Sequence, residues 1–81
     1  MIDVLFFGRM ADIVGSRRIQ ADDTGNKTLW AVRDHIFAGA FASGQVRTTD
    51  IHMSLNRRVV SDDLALSDGD EIAFFSIFSG G

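Results

Sequence analysis

Apolar residues fall along this chain in two rhythms. Residues 2–7, Ile2-Asp3-Val4-Leu5-Phe6-Phe7, are β-branched or aromatic at nearly every place and stop at Gly8, which predicts a short strand. Residues 71–77 are as apolar and predict the last strand. Ile51, Met53 and Leu55 alternate with His52 and Ser54, the period of a half-buried strand. Leu29, Val32, Ile36 and Ala40 instead recur at helical spacing, with Phe37 beside the stripe. Thr28 heads that run as its N-cap, because its hydroxyl can accept from an early backbone N–H. Gly39 and Gly44 break the pattern, so this helix is predicted to end near Ala38. Met10, Ile13 and Val14 make a shorter helical run over 9–14, with Gly15 as its stop. Weaker strands are predicted at 17–21 and 58–60, joined to their neighbours by turns at 22–26, Asn56-Arg57 and 66–70. Ser61-Asp62-Asp63-Leu64 reads as a capped single turn.

The order is strand, short helix, strand, long helix, then strands. It predicts an α+β domain: a small mixed sheet with one main helix packed across one face. The strands at the two ends of the chain are the most apolar and are expected side by side at the sheet centre. If they run the same way they need a long crossover, and the helix headed by Thr28 supplies one. This is the β-grasp, or ubiquitin-like, arrangement, expected as a single domain over 1–81 with a flexible tail at 79–81.

Period two sorts the central strands. Ile2, Val4 and Phe6 share one face and Asp3, Leu5 and Phe7 the other; Ile72, Phe74 and Phe78 share one, and Ala73, Phe75 and Ile77 the other. A single helix covers only one face. Val4, Phe6, Ile72 and Phe74 are assigned to that core. Leu5, Phe7, Val59, Phe75 and Ile77 are left on the outer face as a candidate partner-binding surface, since apolar patches on small domains mark such surfaces. The alternative is that the short helix at 9–14 folds over them.

Composition narrows the chemistry. The chain has 81 residues, 46% of them apolar, which allows one small core and excludes a disordered chain. No run approaches the ~18–20 apolar residues of a membrane span. The first residues lack the basic region of a signal peptide, so a cytoplasmic location is expected. The net charge is −3 and the basic residues are scattered, which argues against nucleic acid. There is no cysteine, which excludes disulfides, thiolate metal sites and thiol nucleophiles. Any sulfur handled by this chain would have to ride on its C-terminal carboxyl group.

His35 and His52 have no metal-ligand spacing and are read as solvent-facing. Asp62, Asp63, Asp68 and Asp70 lack the rhythm of a calcium loop and are read as capping and turn residues. Ser16, Ser43 and Ser79 have no nucleophile-elbow context, and no phosphate-binding glycine loop is present. No metal site and no cofactor bound by this chain are expected.

What remains is the ending, Ser79-Gly80-Gly81. Gly80 and Gly81 carry no side chain, so they can thread a narrow slot and leave the terminal carboxylate unhindered. At about 3.3–3.6 Å per extended residue, residues 77–81 reach roughly 17 Å from the body. The patch lies on the strand that launches this tail, which couples docking to delivery.

The opening Val4-Leu5-Phe6-Phe7-Gly8, the helix ending Ile13-Val14-Gly15, the Leu55-Asn56 strand end, and the run from Leu66 to Phe75 followed by Ser79-Gly80-Gly81 together resemble the ubiquitin-like sulfur carriers, most closely the small subunits of molybdopterin synthase. The related thiamine-pathway carriers also end in Gly-Gly but are shorter and usually lack the helix at 9–14. Family members commonly carry Pro-Pro after the Phe-Phe pair; this chain has Ser76-Ile77.

The resemblance implies that an adenylating enzyme of the ubiquitin-activating type uses ATP and Mg²⁺ to convert the Gly81 carboxylate to an acyl-adenylate. A sulfur donor then makes it a thiocarboxylate. The chain docks on the large synthase subunit, and its tail delivers sulfur to a cyclic pterin precursor. The chain is then a carrier and not an enzyme, with the acid–base groups on its partners. A ubiquitin-like protein modifier, a thiamine-pathway carrier and a non-catalytic ubiquitin-like module stand as alternatives.

Overall fold

The computed structural model describes residues 1–22 and 28–76. Five strands, β1 (Ile2–Phe6), β2 (Arg18–Ala21), β3 (His52–Leu55), β4 (Arg58–Val60) and β5 (Glu71–Phe75), form one sheet in the order β2-β1-β5-β3-β4. The helices are α1 (Arg9–Val14), α2 (Leu29–Ile36) and α3 (Ala38–Ala42), with a 3-10 turn at Thr48–Asp50. β1 and β5 are parallel at the centre; β1–β2, β3–β5 and β3–β4 are antiparallel. The central parallel pair is what the apolar content of the two strands predicts. Each is hydrogen-bonded to a neighbouring strand on both edges, so neither presents an open edge to water.

The hairpin between β3 and β4 closes through Asn56 and Arg57, at φ 51° and 70°. Two successive left-handed residues match the twist of a two-residue hairpin. Asn56 fixes this turn to the start of β5. Its N–H donates to Glu71 O at 2.7 Å, its Oδ1 accepts from Glu71 N–H at 2.9 Å, and its Nδ2 donates to Asp70 Oδ1 at 3.0 Å. Gly69, at φ 89°, makes the turn before β5, as expected of it.

The N-terminus of α2 is fully capped. Thr28 Oγ1 accepts from Ala31 N–H at 3.2 Å, as its place in the sequence predicts. Two donors earlier in the helix are met from a distant segment: Leu29 N–H bonds Leu64 O at 2.9 Å and Trp30 N–H bonds Asp63 Oδ1 at 2.8 Å. The expectation of a capped turn within 61–64 is thus corrected. No helical turn forms there, and Asp63 caps a helix more than thirty residues before it.

The main helix also stops slightly earlier than its stripe suggests. α2 ends at Ile36, Phe37 leaves helical geometry at φ −97° and ψ 11°, and α3 resumes at Ala38. The break turns Phe37 inward, where it is 1% exposed, while Ile36 and Ala40 are only half-buried. Its ring stands edge-on to Phe74 at 5.3 Å and to Phe6 at 6.1 Å, and Phe6 stacks on Phe74 at 5.8 Å. Such aromatic pairs add about 0.5–1.5 kcal/mol each beyond burial. Around this trio sit Ile2, Val4, Met10, Leu29, Val32, Val46, Ile51, Met53 and Ile72. The core therefore occupies the helix side of the sheet, as assigned from period two.

Candidate functional site

Strand register decides what the other side of the sheet presents. Leu5 pairs with Arg18 and Ala73, Ala73 with Ser54, and Ser54 with Val59. Residues paired across strands point to the same side. One row therefore crosses the whole outer face: Arg18, Leu5, Ala73, Ser54, Val59. The next row towards the C-terminal ends of β1 and β5 holds Phe75 opposite His52, with their rings 6.0 Å apart. Phe7 continues β1 at this end, its N–H bonded to Phe74 O at 3.0 Å. The opposite end of the same face is ionic. There Asp3 pairs with Gln20 and Glu71.

The face is thus divided along the strand direction. Its apolar half contains Leu5, Phe7, Val59, Ala73 and Phe75, at the end where β5 runs on towards residue 77. Phe7 is 53% and Val59 71% exposed, and Leu5 and Phe75 are half-buried. Four of the five patch residues proposed from sequence are brought together here. The fifth, Ile77, lies outside the described residues, as do Ser79, Gly80 and Gly81. Ala73, which period two had already set beside Phe75, and His52, read as solvent-facing, do lie on this face, but they and Ser54 were not counted in the patch. The signal was present: with Met53 directed to the core, period two sends both of its neighbours outwards.

The ionic half is held by local pairs. Asp3 accepts from Gln20 Nε2 at 3.1 Å and from Arg18 Nη2 at 3.2 Å, and Arg57 Nε lies 3.7 Å from Glu71. The hydrogen bonds from Gln20 and then Arg18 hold the Asp3 carboxyl below its ordinary pKa. Asp68 is also lowered, chiefly by its hydrogen bond from the N-terminal ammonium group of Met1.

The short helix does not close over the patch. Met10 anchors α1 to the core at 0% exposure, and Ala11, Ile13 and Val14 pack against that core. α1 consequently sits at the end of the sheet, on the flank of the apolar half. Between them opens a cavity of about 530 Å³, lined by Leu5, Phe6, Phe7, Gly8, Ala11, Asp12 and Arg17. The alternative in which α1 buries the patch is excluded by the exposure of Phe7.

The other candidate chemistry stays dispersed. His35 is exposed on α2, and among the described residues no three His, Cys, Asp or Glu side chains gather as metal ligands. Among the described residues no helix is long and apolar enough to cross a membrane. What the arrangement offers is an exposed apolar surface at the C-terminal end of β5, with no assembled catalytic group among the described residues.

Comparison with known proteins agrees in both sequence and shape. The chain is 32% identical to the molybdopterin synthase sulfur carrier subunit of Haemophilus influenzae and 35% identical to that of Escherichia coli, each over the full length of both chains. Its fold matches the crystal structure of SAMP1 from Haloferax volcanii with a TM-score of 0.76 and 25% identity, over 99% of this chain and 98% of the other. It also matches a protein–protein complex of subunits 1 and 2 of the molybdopterin-converting factor from Helicobacter pylori, with a TM-score of 0.65 and 21% identity over 99% and 97%, a likeness of fold. The mixed five-stranded sheet is the ubiquitin-like β-grasp. The ThiS family model matches residues 4–81, and the fold and the full-length relatives agree with it: the chain belongs to the ThiS family.

Proposed function

We propose that this chain is the sulfur carrier subunit of a molybdopterin synthase. The observation that carries the reading is the exposed apolar half-face at the end of β5, on a chain matched end to end by two relatives of that name. The patch docks the large synthase subunit, and Gly81 presents the carboxyl group that is activated and loaded. Ser79 and Gly80 form the segment that threads the partner's active site.

The chemistry follows from the carboxylate. A carboxylate is a poor electrophile, and an adenylating enzyme of the ubiquitin-activating type overcomes this with ATP and Mg²⁺, forming an acyl-adenylate with loss of pyrophosphate. A sulfur nucleophile then displaces AMP to leave the thiocarboxylate. Neither ATP nor the metal is held by this chain; both belong to the activating partner, and the site of action is the cytoplasm. The fold's contribution is positioning: docking converts an encounter between two solutes into a reaction within one complex.

The likeness to SAMP1, and to a solved structure titled H. volcanii small archaeal modifier protein 1 at a TM-score of 0.70, favours a second reading as a protein modifier. Both readings share the activation step and separate at the fate of the acyl group. The helix α1, which shorter thiamine-pathway carriers usually lack, speaks for the molybdenum branch.

The test is reconstitution. Intact mass after incubation with ATP, the adenylating enzyme and a sulfur source should show one oxygen exchanged for sulfur, and the loaded chain with the large subunit should form product. Deleting Gly81 should abolish loading while leaving the fold unchanged. Normal product from the deletion variant would refute the carrier mechanism; isopeptide adducts on other proteins without product would favour the modifier.

A further inference from the structure

The cavity on the flank of the apolar half-face is built from parts that hold its shape. At Gly8 the chain leaves β1 at φ 56° and ψ −128°, a conformation that residues with a Cβ rarely adopt, and turns directly into α1. Met10 fixes α1 to the core, Gly15 ends it in the left-handed region at φ 83°, and Arg9 Nη2 ties its start to Gln45 O at 2.9 Å. One wall is the sheet, through Leu5 and Phe7; the other is the helix, through Ala11 and Asp12. A volume of about 530 Å³ is within the range of roughly 300–1,000 Å³ found for occupied pockets.

We propose that the groove between α1 and the outer sheet face receives an apolar side chain of the large synthase subunit, so that α1 forms the second wall of the docking site. The proposal rests on the docking role assigned above. Leu5 and Phe7 belong to both the groove and the docking face, so a partner seated on the face also covers the groove's open side. The lining is mainly apolar, yet Phe7 remains 53% exposed and no segment among the described residues fills the space beside it. At the rim stand Asp12 and Arg17, whose side chains make no hydrogen bond or ion pair among the described residues. An apolar floor ringed by polar groups is the form of an anchor pocket: a side chain buried at its centre contributes most of the affinity, and the rim excludes water around it.

Because the chain has no cysteine, Asp12→Cys creates a unique thiol at the groove's rim. Its rate of alkylation by N-ethylmaleimide should fall at least about tenfold when the large subunit is added, whereas His35→Cys, on the exposed side of α2, should react at an unchanged rate. Leu5→Asn, with the same number of side-chain heavy atoms but polar, should weaken the complex at least about fivefold, by a factor independent of salt, in a variant that urea unfolding shows to be folded at the assay temperature. If the complex forms and the Asp12→Cys thiol still reacts at its free rate, the groove is empty in the complex and the proposal is overturned, with the docking face intact. If the parent chain does not bind the large subunit at all, the docking role itself falls. Protection already present in the isolated chain and lost on Phe78→Ala would assign the groove to the chain's own last residues, which also overturns the proposal.

Discussion

Phe74 and Phe75 are chemically identical neighbours on one strand, and the fold assigns them opposite tasks. Phe74 is 0% exposed and its ring touches those of Phe6 and Phe37. Truncating it to alanine leaves a cavity amid close-packed rings and should cost about 3–5 kcal/mol. A domain of 81 residues holds about 4–12 kcal/mol in total, so this variant should be close to unfolding at physiological temperature. Phe75 lies on the outer face, half-buried, with the His52 ring at 6.0 Å as its aromatic neighbour among the described residues. Phe75→Ala should cost about 1 kcal/mol of folding stability, the centre of the distribution for point changes. In the complex the order reverses. As an interface anchor, Phe75 should account for more than about 1 kcal/mol of binding, a loss of at least roughly fivefold in affinity for the large subunit. Urea unfolding of both variants, with calorimetric titration of Phe75→Ala against the large subunit, measures both quantities. A Phe75→Ala variant that unfolds like Phe74→Ala yet binds normally would show that the outer face is structural and would remove the basis for the docking surface.

The remaining predictions concern the frame that holds this face. Asp63→Ala leaves the Trp30 N–H without its acceptor and should cost about 0.5–2 kcal/mol in urea unfolding, although residue 63 is remote from α2 in sequence. Arg57→Gly should stabilise the chain by about 0.5–1 kcal/mol in the same assay, because φ 70° strains any residue with a Cβ and the Arg57–Glu71 pair is exposed and weak. The Asp3 carboxyl is lowered below its ordinary 3.8, so its contribution is complete above that pH and fades as pH falls through the folded-state value. Thermal midpoints of the parent and Asp3→Asn should therefore converge below about pH 3.8 and separate, with the parent higher, towards neutrality.

Local rules were sufficient for most elements because each rule acts within a few residues. The apolar runs of β1 and β5, the cap at Thr28, the stop at Gly15 and the turn at Gly69 all follow from side chains close in sequence. The period of two also separated Phe74 from Phe75 before any partner strand was placed, since alternation across a strand does not depend on its neighbours. The content of the candidate tail, Ser79-Gly80-Gly81, is legible only in the sequence, because those residues lie outside the described part of the structure.

Other features depended on which distant segments meet. Asp63 looked like the start of its own turn; only the packing of the segment after β4 against α2 makes it a cap for Trp30. Phe37 lay beside the helical stripe, and the need to seat its ring between Phe6 and Phe74 broke the helix there. The ionic and apolar halves of the outer face exist because parallel pairing of β1 with β5 sets Asp3 beside Glu71 and Leu5 beside Ala73, a register that neither strand encodes alone. Whether α1 covered the patch or flanked it was open until Met10 was placed in the core. By itself, then, the sequence determined the local conformations, the two faces of each strand and the Gly-Gly ending. The tertiary structure decided which surfaces adjoin, because contacts between distant segments are selected by the packing of the whole core.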